Sequence, residues 1–269
     1  MVDFMFYGGK GPWWGSFNHF TAAGFLNSCS CRLHGESAIV EGTLNLALHV
    51  GDDSELVLAN RRAYGEDLGL DPNKFTTCAQ VHGTKVVQVT PELVGSGALD
   101  FSTTIRDTDA LITDLPQVPL LLFFADCVPI LLADPVTGAI GLAHAGWRGT
   151  VGEIAIKTVE AMVAAYGCRP ENILGGIGPS IGPCCYEVDD NVRDRAAGYE
   201  EFFAPVAGKP GKYMLDLWAM NRAQLLTAGL KKEHIKVAEI CTVHHKQFFC
   251  SYRAENGKTG RMGVCLAKV

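Results

Sequence analysis

Residues 123–149 read FFADCVPILLADPVTGAIGLAHAGWRG, and no other stretch of the chain restricts the fold as much. Residues 120–125 and 130–133 are apolar runs of strand length. Asp134-Pro135 and Thr137-Gly138 mark a turn, and residues 139–143 form a further short apolar run. A thiol, Cys127, and an imidazole, His144, each sit at a strand end, so both are candidates for one shared site. Asp126 places a charge inside an apolar run, which is costly unless the charge is paired or functional. Pro129 predicts that the strand breaks or bulges there, aiming the thiol into a cleft.

The remaining chain gives a mixed succession of elements. Residues 8–35 read as irregular surface with short strands, and residues 44–50 alternate enough for a strand. A helix is predicted over 55–68, stopped at Gly69, and another over 152–166, ending at Gly167. Asp216 can cap a helix reaching Leu226, and residues 188–199 read as an exposed helix. Short strands are predicted at 86–89, 111–113, 173–177, 235–240 and 248–252. Hairpins mixed with strand–helix alternation favour an α/β or α+β fold with a mixed sheet. No Gly-x-Gly-x-x-Gly or Walker A loop supports a common nucleotide fold.

The 269 residues can bury a sizeable core and fit one large domain or two small ones. With a net charge of -6 and no Lys/Arg block, neither nucleic acid nor an anionic membrane is expected as a partner. No stretch approaches the ~18 apolar residues of a membrane span, and the start lacks a secretory pattern, so a cytoplasmic location is expected. None of the ten cysteines forms a Cys-x-x-Cys pair, which excludes a zinc ribbon or thioredoxin-like motif. They are expected to be reduced thiols, most of them small buried hydrophobes.

His82, Cys127 and His144 form a natural zinc set, because thiolate and imidazole suit Zn²⁺ and three ligands leave a fourth position open. A Cys–His nucleophile pair, Cys127 with His82 or His144, is the chemical alternative. Gly146 and Gly149 permit tight backbone around Trp147 and Arg148, and Arg148 would add a fixed positive charge. His244 and His245 are adjacent, so at most one would join a site. Pro183-Cys184-Cys185 lacks the spacing of a zinc deaminase, and no His-x-His pair suits a multicopper oxidase.

The motifs QVHG, ADCVPILLAD, HAGWRG and IGPSIGPCCYEV resemble those of the purine nucleoside phosphorylase family also labelled multicopper polyphenol oxidase, or laccase domain. The match extends over nearly the whole chain, through Thr43-Leu44-Asn45-Leu46, Asn60-Arg61, Cys241-Thr242 and Thr259-Gly260-Arg261-Met262. The resemblance implies a single domain over residues 1–269, a four-layer α/β/β/α sandwich with mixed sheets. It implies a zinc site from His82, Cys127 and His144, with copper as the alternative metal. It also implies phosphorolysis of adenosine, inosine, guanosine and methylthioadenosine, with adenosine deamination as a second activity.

For such a reaction Arg61, Arg148 and Arg253 are candidate phosphate or ribose contacts, and Asn45 joins them as a substrate-binding candidate. Asp126 is a candidate general base, or a partner that orients His144. The partners expected are a nucleoside and phosphate, with the protein a monomer or homodimer. Two other readings stay open: a copper-dependent phenol oxidase, and a cysteine-dependent amidase acting on cell-wall precursors.

Overall fold

The computed structural model describes residues 3–269, and Met1 and Val2 of the expected domain lie outside the described residues. The first sheet is antiparallel throughout, in the order Phe4–Tyr7, Trp14–Phe17, Phe25–Ser30, Met262–Lys268, Leu120–Phe124. The second sheet is mixed, in the order Ile235–Val237, Leu174–Ile177, Val128–Ala133, Ile140–Ala145, Ala110–Thr113, Val86–Gln88. Its two outermost pairs are parallel and the inner ones antiparallel. A small third sheet joins Glu187–Asp189, Lys212–Leu215 and Phe203–Pro205.

Alternation along the strands sets the layers, since successive side chains point to opposite faces. Leu120, Leu122 and Phe124 meet Leu131, Ala133, Ile140 and Leu142 in a core between the two large sheets. Leu121 and Phe123 face the other way and pack with Tyr64 and Leu68 of the helix Ser54–Leu68. Ile130, Leu132, Ala143 and Ala145 pack beneath the helices Ile154–Tyr166 and Leu217–Thr227. Helix, sheet, sheet and helix thus stack in four layers. Strands buried on both faces read as continuous apolar runs, which is why 120–133 has so few polar residues. Among the described residues, no helix is long and apolar enough to cross a membrane.

Several local expectations change. Residues 44–50 form no strand, because their backbone groups go to several partners: Leu44 N donates to the Arg32 carbonyl and Leu46 N to that of Arg261. The helix expected over 152–166 forms as Ile154–Tyr166, and a separate short helix, Trp147–Val151, precedes it, with Glu153 between them at φ +66°. Val188 belongs to a strand, where it pairs with Tyr213, and only Asp190–Arg193 of 188–199 is helical. The strand from Ile235 ends at Val237, and 248–252 is a turn in which Phe248 N and Phe249 N both donate to the His245 carbonyl. Pro129 does not break its strand, which runs Val128–Ala133. The N–H that faces Pro129 in register, His144 N, donates to the Asp109 carbonyl at 2.7 Å.

Candidate metal centre

The chain leaves the first sheet at Phe124 and enters the second at Val128, so Cys127 stands at the corner between them. Asp126 makes that corner with φ +82°, a left-handed conformation that costs a non-glycine residue free energy. Two short hydrogen bonds hold it: the Thr242 hydroxyl and the Arg253 N–H donate to its two carboxylate oxygens at 2.6 Å each. His144 continues the row of Ile140 and Leu142 that faces the first sheet, and its ring lies 5.5 Å from that of Phe124. His82 occupies a turn, again left-handed at φ +59°, and its ring lies 4.8 Å from that of His144.

A single buried carboxylate organises both histidines. Asp109 accepts N–H bonds from Val81, His82 and Gly83 at 3.2, 3.0 and 2.7 Å. It also pairs with His144 Nδ1 at 2.8 Å, which leaves Nε2 of His144 as the ligand atom. Burial pushes the Asp109 carboxyl up, but these bonds and the His144 charge outweigh it and hold it below the usual carboxylate range. The partner that orients His144 is therefore Asp109, not Asp126.

Cys127 Sγ lies 3.7 Å from His82 Nε2, and the donor atoms of His82, Cys127 and His144 are all within 4.8 Å of one another. Donors that share one tetrahedral zinc at ordinary bond lengths stand about 3.6 Å apart. A Cβ at Gly146 would come within 2.9 Å of the His82 ring and 3.0 Å of Cys127 Sγ, so a side chain there would crowd the donors. Burial raises the Cys127 thiol, yet the His144 charge and hydrogen bonds from both histidines bring it down to about 6. Burial lowers His144, but the Cys127 charge and the Asp109 bond raise it to about 9. The site thus favours a thiolate beside an imidazolium; a metal would take the thiolate and displace the His144 proton from Nε2. One thiolate and two imidazoles, one fixed by a carboxylate, make a donor set that fits a zinc-type ion.

These three side chains line a cavity of about 590 Å³. Aromatic rings of Phe123, Trp147, Tyr186 and Tyr252 form part of its wall, with Arg148, Arg253 and Arg261 around them. The Arg148 guanidinium lies 4.4 Å over the Trp147 ring, and the side chain is exposed. Arg253 donates three N–H groups to the carbonyls of Cys185 and Glu187, which leaves two free. His49 also lines the cavity, its ring 5.1 Å from that of Phe101.

Of the residues singled out in the sequence, His82, Asp126, Cys127, His144, Arg148 and Arg253 converge on this cavity. Asn45 and Arg61 do not line it, and both are buried. Arg61 donates to the carbonyls of Leu46, Gly97 and Ala98, at 2.7, 2.6 and 2.7 Å. It is a structural cation beneath the Phe123 ring rather than a phosphate contact. Asn45 accepts from Arg261 N at 2.9 Å, so it acts by anchoring the segment that carries Arg261. Asp109, Arg261, Tyr186 and Tyr252 were not anticipated as site residues. Asp109 left one signal, a carboxylate at the head of the apolar run 110–112.

The family model described as "Multi-copper polyphenol oxidoreductase laccase" matches residues 27–268. The chain belongs to this family. It is 44% identical to a purine nucleoside phosphorylase, YlmD, of Geobacillus stearothermophilus over 243 residues, 89% of each chain. The crystal structure of YlmD from that organism superposes with a TM-score of 0.91 and 40% identity, covering 99% of both chains. A third family member, an adenosine deaminase named RL5 from an unknown prokaryotic organism, is 34% identical over 78% of this chain and 81% of its own. Similarity to YlmD along the full length agrees with the four-layer stacking derived above, and the relatives' names are those of enzymes.

Proposed function

We propose that residues 1–269 act as one zinc-dependent purine nucleoside phosphorylase domain that also deaminates adenosine. The observation that carries this reading is the His82, Cys127 and His144 donor set facing a cavity walled by aromatic rings and arginines. The names of the relatives point the same way. Flat rings such as Tyr186 and Tyr252 suit a purine base and ribose face. Arg148 and Arg253, each with N–H groups to offer, suit an incoming phosphate. In phosphorolysis a phosphate oxygen bonds to C1′ as the C1′–N9 bond breaks, and the departing base takes up a proton. Holding phosphate and nucleoside together removes most of the entropic barrier. Asp126, held by Thr242 and Arg253 at the cavity wall, is the carboxylate to which we assign proton transfer. His82, Cys127 and His144 would hold zinc, which supplies a Lewis acid to polarise the substrate.

The substrates we assign are adenosine, inosine, guanosine and methylthioadenosine, met in the cytoplasm. The test is incubation of metal-analysed protein with adenosine, with and without phosphate, followed by chromatography. Adenine and ribose 1-phosphate formed only with phosphate support the phosphorylase, and inosine supports deamination. Neither product from zinc-loaded protein would overturn the reading. The same donor set also accepts copper, and the family description names a copper oxidase. Oxygen uptake with phenols by copper-loaded protein would favour that second reading.

A further inference from the structure

Outside the cavity site, four side chains converge on one point. Cys184 and Cys185 come from the connection 178–186, which follows Leu174–Ile177. Cys241 and His244 come from the connection 238–261, which follows Ile235–Val237. The two strands are parallel neighbours, so both connections leave the sheet at the same end. Backbone pairing continues past the strands: Ser180 N donates to the Ile240 carbonyl at 3.1 Å and Thr242 N to that of Ser180 at 3.0 Å. A turn then brings His244 back over Cys241.

The donor atoms of all four lie within 4.8 Å of one another. Cys184 Sγ is 3.5 Å from His244 Nδ1, the separation of two donors on one tetrahedral zinc, about 3.6 Å. Gly182 N donates to Cys241 Sγ at 3.3 Å, as backbone amides do to metal thiolates. A Cβ at Gly182 would stand 3.2 Å from Cys184 Sγ and 2.7 Å from the Trp218 ring, so only glycine lets the loop close this tightly.

We propose that Cys184, Cys185, Cys241 and His244 form a second metal site, a closed Cys₃His shell for a zinc ion. Four protein ligands leave no position for substrate, so the ion is structural. Binding exchanges three thiol protons for one divalent ion, leaving a net charge of −1 on the shell. The ion pins the two connections that carry Tyr186 and Arg253 to the cavity wall. Arg253 already donates to the Cys185 carbonyl at 3.3 Å. The proposal does not depend on which reaction the cavity carries out.

Metal counting by mass spectrometry on protein purified without chelator tests it. The parent is expected to hold two zinc ions per chain and Cys127→Ala one. Adding Cys184→Ser and His244→Ala to Cys127→Ala should leave none. Cobalt-loaded Cys127→Ala protein should show tetrahedral visible bands, a readout that leaves every residue of the second site unaltered. One zinc in the parent and none in Cys127→Ala would overturn the proposal. So would zinc retained after the Cys184 and His244 changes, or a disulfide among the three cysteines in metal-exposed, freshly purified protein.

Discussion

Asp109 and His144 are joined by a 2.8 Å hydrogen bond in which both side chains are almost completely buried. The same carboxylate holds the His82 turn through three backbone N–H groups. Asp109→Asn removes the charge and turns half of the acceptor into a donor. Zinc affinity should fall 10–100-fold, the usual cost of losing such a support. Competition with a chromophoric chelator measures it. Affinity equal to the parent's would mean that Asp109 does not position the histidines.

Cys127→Ala should eliminate both zinc at the cavity and turnover of adenosine, with the fold intact. The residue is at a corner rather than in the packed centre, so circular dichroism should be unchanged. Full turnover in a folded variant would remove Cys127 from the site.

Two arginines give opposite expectations. Arg61→Ala should destabilise the protein by about 3 kcal/mol in urea unfolding, because three buried carbonyls lose their donor. Arg148→Ala should leave stability within about 0.5 kcal/mol, since the side chain is exposed. It should instead raise KM for phosphate roughly tenfold, as loss of a charge-assisted bond does. Equal phosphate KM in parent and variant would count against a phosphate role for Arg148.

Glu255 gives the pH dependence. Burial pushes its carboxyl up, but hydrogen bonds and the charge of Arg32 outweigh this and hold it below its ordinary value. The Arg32–Glu255 pair at 2.8 Å ties down the loop that carries Tyr252 and Arg253. Because the folded value lies below the unfolded one, its stabilisation is complete above about pH 4.3 and is lost as pH falls through the folded value. The difference in Tm between the parent and Glu255→Gln should therefore shrink on acidification from about pH 7 to about pH 3. A constant difference would show that the carboxylate charge is not what stabilises the loop.

The sandwich centre and the convergence of His82, Cys127 and His144 were legible because burial on two faces and N/S donors near strand ends leave local signals. Gly69 and Gly167 marked helix ends correctly, both in the left-handed conformation that terminates a helix. What was not legible depends on contacts between distant residues. Arg61 resembles a phosphate ligand in sequence, and only the return of residues 97–98 shows where its donors go. Residues 44–50 carry a strand pattern, but their partners are scattered rather than arranged as one neighbouring strand. Glu153 and Glu239 end or interrupt elements by adopting positive φ, which a glutamate does not advertise. The pairing of His244 with Cys184 spans 60 positions, beyond any spacing rule.

The strand Met262–Lys268 lies between Phe25–Ser30 and Leu120–Phe124. During synthesis the ribosome delivers both flanking strands long before the one that joins them. The first sheet therefore cannot close before residues 262–268 have emerged, and two apolar edges wait for their partner. Since Phe123 and Arg261 reach the cavity from either side of that seam, a chain that has not yet added residues 262–268 cannot assemble the complete cavity wall.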